Sequence, residues 1–199
     1  MDTGTPSRKQ QTHDRILDTA AGVLRESGFH GVGVADIMKK AGLTHGGFYA
    51  HFASREALLA EALQRAGQDS QLRLDKSVAA GEAKGVSAFR SLVESYLSDR
   101  HLKAPEAGCP VAALASEMPR QSDIVREAAA QRVQSLVERV QACLPPGRDA
   151  DTAAVVASQL AGALQLARTL GDNARGRKHL AAARRFLLEH FEPARPTRR

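Results

Sequence analysis

The chain has 199 residues, 43% hydrophobic and 25% charged, enough apolar content for a packed core and too much for a disordered tail. Its net charge is +6, but the excess lies wholly in residues 175–199, which hold eight basic and two acidic side chains. Residues 1–174 are balanced, so overall charge is no argument for a nucleic-acid partner. Only 4% of residues are aromatic and none is tryptophan; alanine and leucine carry the apolar content, which favours helix over strand. Two cysteines, Cys109 and Cys143, are too few for a disulfide framework and point to a reduced, cytoplasmic protein. Residues 1–11 are polar with no apolar run behind them, so no secretory signal is expected. The most apolar window, 153–167, is interrupted by Ser158, Gln159 and Gln165 and is too short to span a bilayer.

In chain order, residues 1–11 read as a flexible arm. Thr12 is placed to cap a first helix whose stripe is Ile16, Leu17, Ala20, Ala21 and Leu24, closed by Gly28. A second, short helix covers 35–40. A third follows Thr44, and a fourth starts at Ser54 and runs to about residue 78. Residues 80–85 read as a loop. Ser87 caps a helix with Phe89, Leu92, Val93, Tyr96 and Leu97 on one face. Residues 103–109 form a loop, and a short helix covers about 111–117. A long helix spans 123–144, and Pro145-Pro146-Gly147 is a break. The last two helices cover about 149–170 and 174–191. No alternating run is long enough for a strand, so the expectation is all-α.

The chemistry is concentrated in the second and third helices. The turn between them, Ala41-Gly42-Leu43-Thr44, has the glycine that a helix-turn-helix needs for positive φ. The third helix, His45-Gly46-Gly47-Phe48-Tyr49-Ala50-His51-Phe52, carries two adjacent glycines, each costing about 1 kcal/mol relative to alanine inside a helix. A surface pressed into the major groove offsets that cost, because absent side chains let the backbone approach bases and phosphates. Phe48 and Phe52, four apart, face inward, leaving Thr44, His45, Tyr49 and His51 as donors. Arg55, opening the next helix, suits a phosphate. A tight helical hairpin in an unrelated helical domain has the same spacing.

The run Ile37-Met38-Lys39-Lys40-Ala41-Gly42-Leu43-Thr44-His45-Gly46-Gly47-Phe48-Tyr49-Ala50-His51-Phe52-Ala53-Ser54-Arg55-Glu56-Ala57-Leu58 resembles the TetR family of bacterial repressors. So do Arg15-Ile16-Leu17-Asp18-Thr19-Ala20 and Ser27-Gly28-Phe29 upstream. The resemblance covers 12–66. It implies an N-terminal three-helix DNA-binding domain over 12–53 with the start of the next helix at 54–66. A helical regulatory and dimerisation domain over 54–191 and a basic tail over 192–199 complete the expected organisation. It implies phosphate contacts for Thr44, Tyr49 and His51, and base edges for His45, Gly46 and Gly47. Arg55 stands where the family usually has lysine and keeps the charge. Val34 departs from the threonine or serine usual there, removing a cap or a phosphate contact.

The implied partners are a near-palindromic double-stranded DNA operator, a second copy of the chain and a small-molecule effector. Small residues along 149–170, with Leu180, Phe186, Leu187, Leu188 and Phe191, suit a four-helix dimer bundle. An effector pocket is expected among Phe89, Leu92, Tyr96, Cys109, Leu114, Met118, Val133 and Leu166, although ordinary core packing explains any one of them. Cys109, between Gly108 and Pro110 at a helix start, supports an alternative reading as a thiol that senses electrophiles or redox state; an inert buried cysteine is the simpler reading. There is no His-x-x-x-His, Cys-x-x-Cys or Glu-x-x-His spacing and no phosphate loop. No catalytic residue, metal site or cofactor is therefore expected.

Overall fold

The computed structural model describes residues 7–31 and 33–192, and among these there are helices and no strand. In order they are α1 (Arg8–Ser27), α2 (Val34–Lys40), a 3-10 helix (His45–Ala50), α3 (Arg55–Glu82), α4 (Ala88–Tyr96), α5 (Asp99–Lys103), α6 (Pro110–Leu114), α7 (Asp123–Cys143), α8 (Ala150–Leu170) and α9 (Ala174–Phe191). Single 3-10 turns lie at Pro105–Ala107 and Met118–Arg120. No described helix is long and apolar enough to cross a membrane. The residues divide into two units, one of residues up to 69 together with 106–132, the other of 70–105 and 133 onward.

In the first unit the expected stripe of α1, Ile16, Leu17, Ala20, Ala21 and Leu24, is buried. Ile16, Leu17, Ala20, Leu24 and also Val23 share a core with Ile37 and Met38 of α2, Phe48, Phe52, and Leu58, Leu59, Ala62 and Leu63 of α3. Leu114, Met118, Val125, Ala128 and Ala129 complete that core, so the segment 106–132 packs with the helix-turn-helix. Polar contacts fasten α1 to α3: Arg65 forms ion pairs with Asp14 at 2.7 Å and Asp18 at 3.5 Å, and His13 Nε2 lies within hydrogen-bond distance of Glu61, at 3.1 Å.

Helix α1 corrects two sequence expectations. It begins at Arg8, not after Thr12, and Ser7 caps it by accepting from the Gln10 amide. The Thr12 hydroxyl instead donates to the Arg8 carbonyl one turn back. The flexible arm expected over 1–11 is therefore helical from Arg8 onward, and its residues 1–6 lie outside the described residues. The basic tail lies outside them too, from residue 193. Helix α3 runs through to Glu82, beyond the expected end at about residue 78, so residues 80–82 of the expected loop are helical. Gly81 sits in that helix because Ser91 of α4 occupies the space a Cβ would fill, its Oγ only 1.9 Å from that position.

In the second unit α8 and α9 pack along each other, burying Ala153, Val156, Leu160, Leu164 and Ala167 against Leu180 and Leu187. Asp149 caps α8 through the Thr152 amide at 2.8 Å, which with the Thr152 hydroxyl holds its carboxyl pKa below the usual range. Asn173 caps α9. Helix α4 buries Phe89, Leu92, Val93 and Tyr96. Glu192, just past α9, holds the first turn of α4 by accepting from Ser87 Oγ at 2.9 Å and from the Arg90 guanidinium. Cys143 is buried at the end of α7, and burial raises its thiol pKa, which keeps it protonated and inert.

Candidate nucleic-acid interface

The turn after α2 forms as its residues dictate. The Ala41 amide donates to the Ile37 carbonyl at 2.8 Å, and Gly42 takes φ +68 so that the Leu43 amide returns to the Met38 carbonyl at 2.8 Å. This is the left-handed closure of a helix end that glycine permits without steric cost. Leu43 packs against the core, and Thr44 is extended and starts the next segment.

That segment is a 3-10 helix of six residues, not the eight-residue helix expected. Two glycines make a weak α-helix, and the tighter i to i+3 bonding is a common solution for one short turn. Thr44 makes no side-chain capping bond, contrary to expectation, which leaves the capping role unused on an exposed hydroxyl. Phe48 and Phe52 are buried, stacked at 5.6 Å with 23° between their planes, and His13 of α1 stacks on Phe52 at 4.6 Å. The inward aromatic pair therefore fixes which face points out. On that face Thr44, His45, Gly46, Tyr49 and Ala50 are exposed, Tyr49 to 72%, unusually high for a tyrosine that could have packed.

His51 is half-buried beside His13, ring centroids 6.0 Å apart. Its pKa lies below the ordinary histidine value, first through desolvation, then through the charges of His13 and Lys9. Lys9 is thus near the same face, a cation that the sequence reading assigned to a flexible arm. Lys39 and Lys40 at the end of α2 are exposed as well. Arg55 is half-buried, and its guanidinium donates to the Phe29 carbonyl at 2.6 Å. Ser54 caps α3 through the Ala57 amide, as expected. Helix α2 starts at Val34 after Gly33 with no side-chain cap, and Val34 packs against the core.

A family model described as bacterial regulatory proteins, tetR family, matches residues 16–62, and one described as tetracyclin repressor-like, C-terminal domain, matches residues 85–187. The chain belongs to the TetR family. It is a DNA-binding transcriptional regulator. Among its relatives, the HTH-type regulator Rv0196 of Mycobacterium tuberculosis is 28% identical over 174 residues, 82% of this chain and 87% of that one. The HTH-type transcriptional repressor NemR of Escherichia coli K12 is 24% identical over 141 residues, 71% of each chain. The reduced form of E. coli NemR, in a crystal structure, superposes with a TM-score of 0.75 at 22% identity, covering 93% of this chain and 100% of that one. A TetR-family regulator from Cytophaga hutchinsonii gives 0.77 at 18%, covering 96% and 100%.

The eight residues expected to line an effector pocket do not share one unit of this TetR-family chain. Phe89, Leu92 and Tyr96 are buried together on α4 in the second unit. Val133 and Leu166, also in that unit, are 44% and 57% exposed, so they line no interior there. Leu114 and Met118 belong to the helix-turn-helix core, and Cys109, 5% exposed, starts α6 in the same unit. The sequence reading missed Arg25, which is buried at the end of α1 and donates to the carbonyls of Ala66 and Gly108. It looked like an ordinary cation in a last helical turn, and no local signal marks it otherwise.

Proposed function

We propose that the chain is a homodimeric, cytoplasmic repressor that grips a near-palindromic operator with the outer face of His45–Ala50 and releases it when a small effector binds. The glycine pair carries this reading. Neither Gly46 nor Gly47 has positive φ. A Cβ on Gly46 would meet nothing within 4 Å, and one on Gly47 would make only ordinary contacts, with the tip of Met38 at 3.7 Å and Thr44 Oγ1 at 4.0 Å. The fold itself therefore does not require them, which supports the reading that they serve a surface outside the chain. In this reading Thr44, Tyr49 and His51 hold phosphates, His45, Gly46 and Gly47 lie at base edges, and Arg55 adds a flanking phosphate contact beside its bond to Phe29.

The dimer is supported by an apolar stripe facing outward. Val155, Gly162, Leu166 and Leu170 follow one another at helical spacing on α8, and Phe186 is 43% exposed on α9. A Cβ on Gly162 would meet nothing within 4 Å, so that position is open to a close-packing helix. The effector reading is favoured over the thiol reading because Cys109 is buried, and an electrophile needs an accessible thiolate. The buried α4 residues Phe89, Leu92 and Tyr96 are the apolar side chains from which the second unit would build an effector site.

Selection of randomised duplexes by the full chain tests the proposal. The expected product is a near-palindrome whose half-sites lie in successive major grooves, about one helical turn apart centre to centre. Enrichment of a single asymmetric site, or of no sequence, contradicts it.

A further inference from the structure

The turn that feeds α2 is held from a distance. After α1, Gly28 adopts φ +72 and its amide closes on the Leu24 carbonyl. The next amide, that of Phe29, has no helical partner of its own. It donates to the carboxylate of Glu117 at 3.0 Å, 88 residues further along the chain. The carbonyl of the same residue accepts from Arg55 at 2.6 Å, and its side chain is 1% exposed. Phe29 is thus gripped at its N–H by an anion, at its C=O by a cation and at its ring by the core. Charge-assisted bonds of this kind are about twice as strong as neutral ones. Gly28 makes room for the grip, since a Cβ there would stand 2.5 Å from Glu117 Oε1.

Glu117 is itself well fixed. Its amide donates to the Leu114 carbonyl at 2.9 Å, and its neighbours Leu114 and Met118 are buried in the helix-turn-helix core. On the other side of α6, the Gly108 carbonyl accepts from the buried Arg25 at 3.3 Å. The segment carrying Glu117 is therefore pinned at one end to α1 and at the other to the turn that follows it.

We propose that Glu117, although far outside the helix-turn-helix in sequence, is a positioning residue for operator reading. By holding the Phe29 peptide it sets where α2 begins, and hence how the His45–Ala50 face is presented. The inference rests on that face being the DNA-contacting surface.

The test uses the full chain and two duplexes of equal length, one selected by the wild type from a randomised pool and one scrambled. A misplaced reading face loses base contacts but keeps phosphate attraction, so specific and non-specific affinity separate. Glu117→Ala is expected to weaken the selected duplex about tenfold and leave the scrambled one within about twofold. Glu117→Gln still offers an oxygen to the Phe29 amide and is expected to recover most of the ratio. If Glu117→Ala melts below the assay temperature, Glu117→Asp, one methylene short of the amide, gives the same reading. An unchanged ratio in the truncated variant, an equal loss on both duplexes, or a Glu117→Gln as poor as the truncation overturns the proposal. A wild type with no preference for its selected duplex overturns the underlying DNA reading as well.

Discussion

Replacing Gly46 with leucine should lower operator affinity by about a hundredfold while leaving the fold intact. The two halves of that expectation have separate causes. Inside the molecule the position is empty: no atom lies within 4 Å of a Cβ built there, and φ is not in the left-handed region. Alanine at this site should even stabilise, by about 0.5–1 kcal/mol, because it restricts the unfolded chain. That corresponds to a rise in Tm of about 1–4 °C for a chain of this size. Outside the molecule a branched side chain between backbone and base edges holds the helix off the groove. Losing one or two base contacts at about 1–3 kcal/mol each accounts for the hundredfold. Thermal melts and fluorescence anisotropy on Gly46→Ala and Gly46→Leu measure both halves. A leucine variant that binds as the wild type does would remove the reason given for the glycine pair.

The second large effect is expected at Leu166. This side chain is 57% exposed, so a glutamate there costs the second unit little on its own. In the proposed dimer, however, it would bury two carboxylates in an apolar interface across the twofold axis, a desolvation cost that nothing repays. Leu166→Glu should therefore sediment as a monomer at micromolar concentration where the wild type is a dimer. Operator affinity should fall by about a hundredfold or more, because the second half-site is no longer bound intramolecularly. Gly162→Leu should act in the same direction if the two α8 helices approach at that glycine. A Leu166→Glu chain that remains dimeric places the interface elsewhere.

The parts of the fold that were legible in the sequence are those determined by neighbours in the chain. The turn Ala41-Gly42-Leu43-Thr44 declared itself because one glycine must take positive φ there, and it does. The caps Ser54 and Ser87 form as expected, each accepting from the backbone amide three residues on. The start expected for α1, after Thr12, is five residues late, because residues 8–12 include good helix formers that carry no stripe to reveal them.

What stayed hidden depends on partners distant in sequence. Leu114 and Met118, expected beside an effector, pack with the helix-turn-helix core together with Val125 of α7. The need for glycine at 81 inside α3 shows only in three dimensions, where Ser91 occupies the space a Cβ would fill. In the candidate site, the outward positions of Thr44, His45, Gly46 and Tyr49 followed from Phe48 and Phe52 turning inward. Arg55 was read as a phosphate ligand from its charge and place, and its bond to Phe29 needed three dimensions. Glu117 and Arg25 carry no sequence mark of their contacts.

The central claim, that the chain reads DNA with the exposed face of its short 3-10 helix, is tested most directly by base-preference profiles of two variants. In the first, His45→Ala, a side chain proposed to lie at a base edge is lost. In the second, Tyr49→Ala, a side chain 72% exposed and placed for a phosphate is lost. Profiles measured over a library of half-site variants should differ in kind. The histidine change should flatten or alter the preference at one or two base pairs, by about 1–3 kcal/mol. The tyrosine change should weaken all sequences alike and leave their ranking unchanged. Wild-type affinity and wild-type ranking in both variants would contradict the account, because no DNA-contacting face can lose both side chains unnoticed.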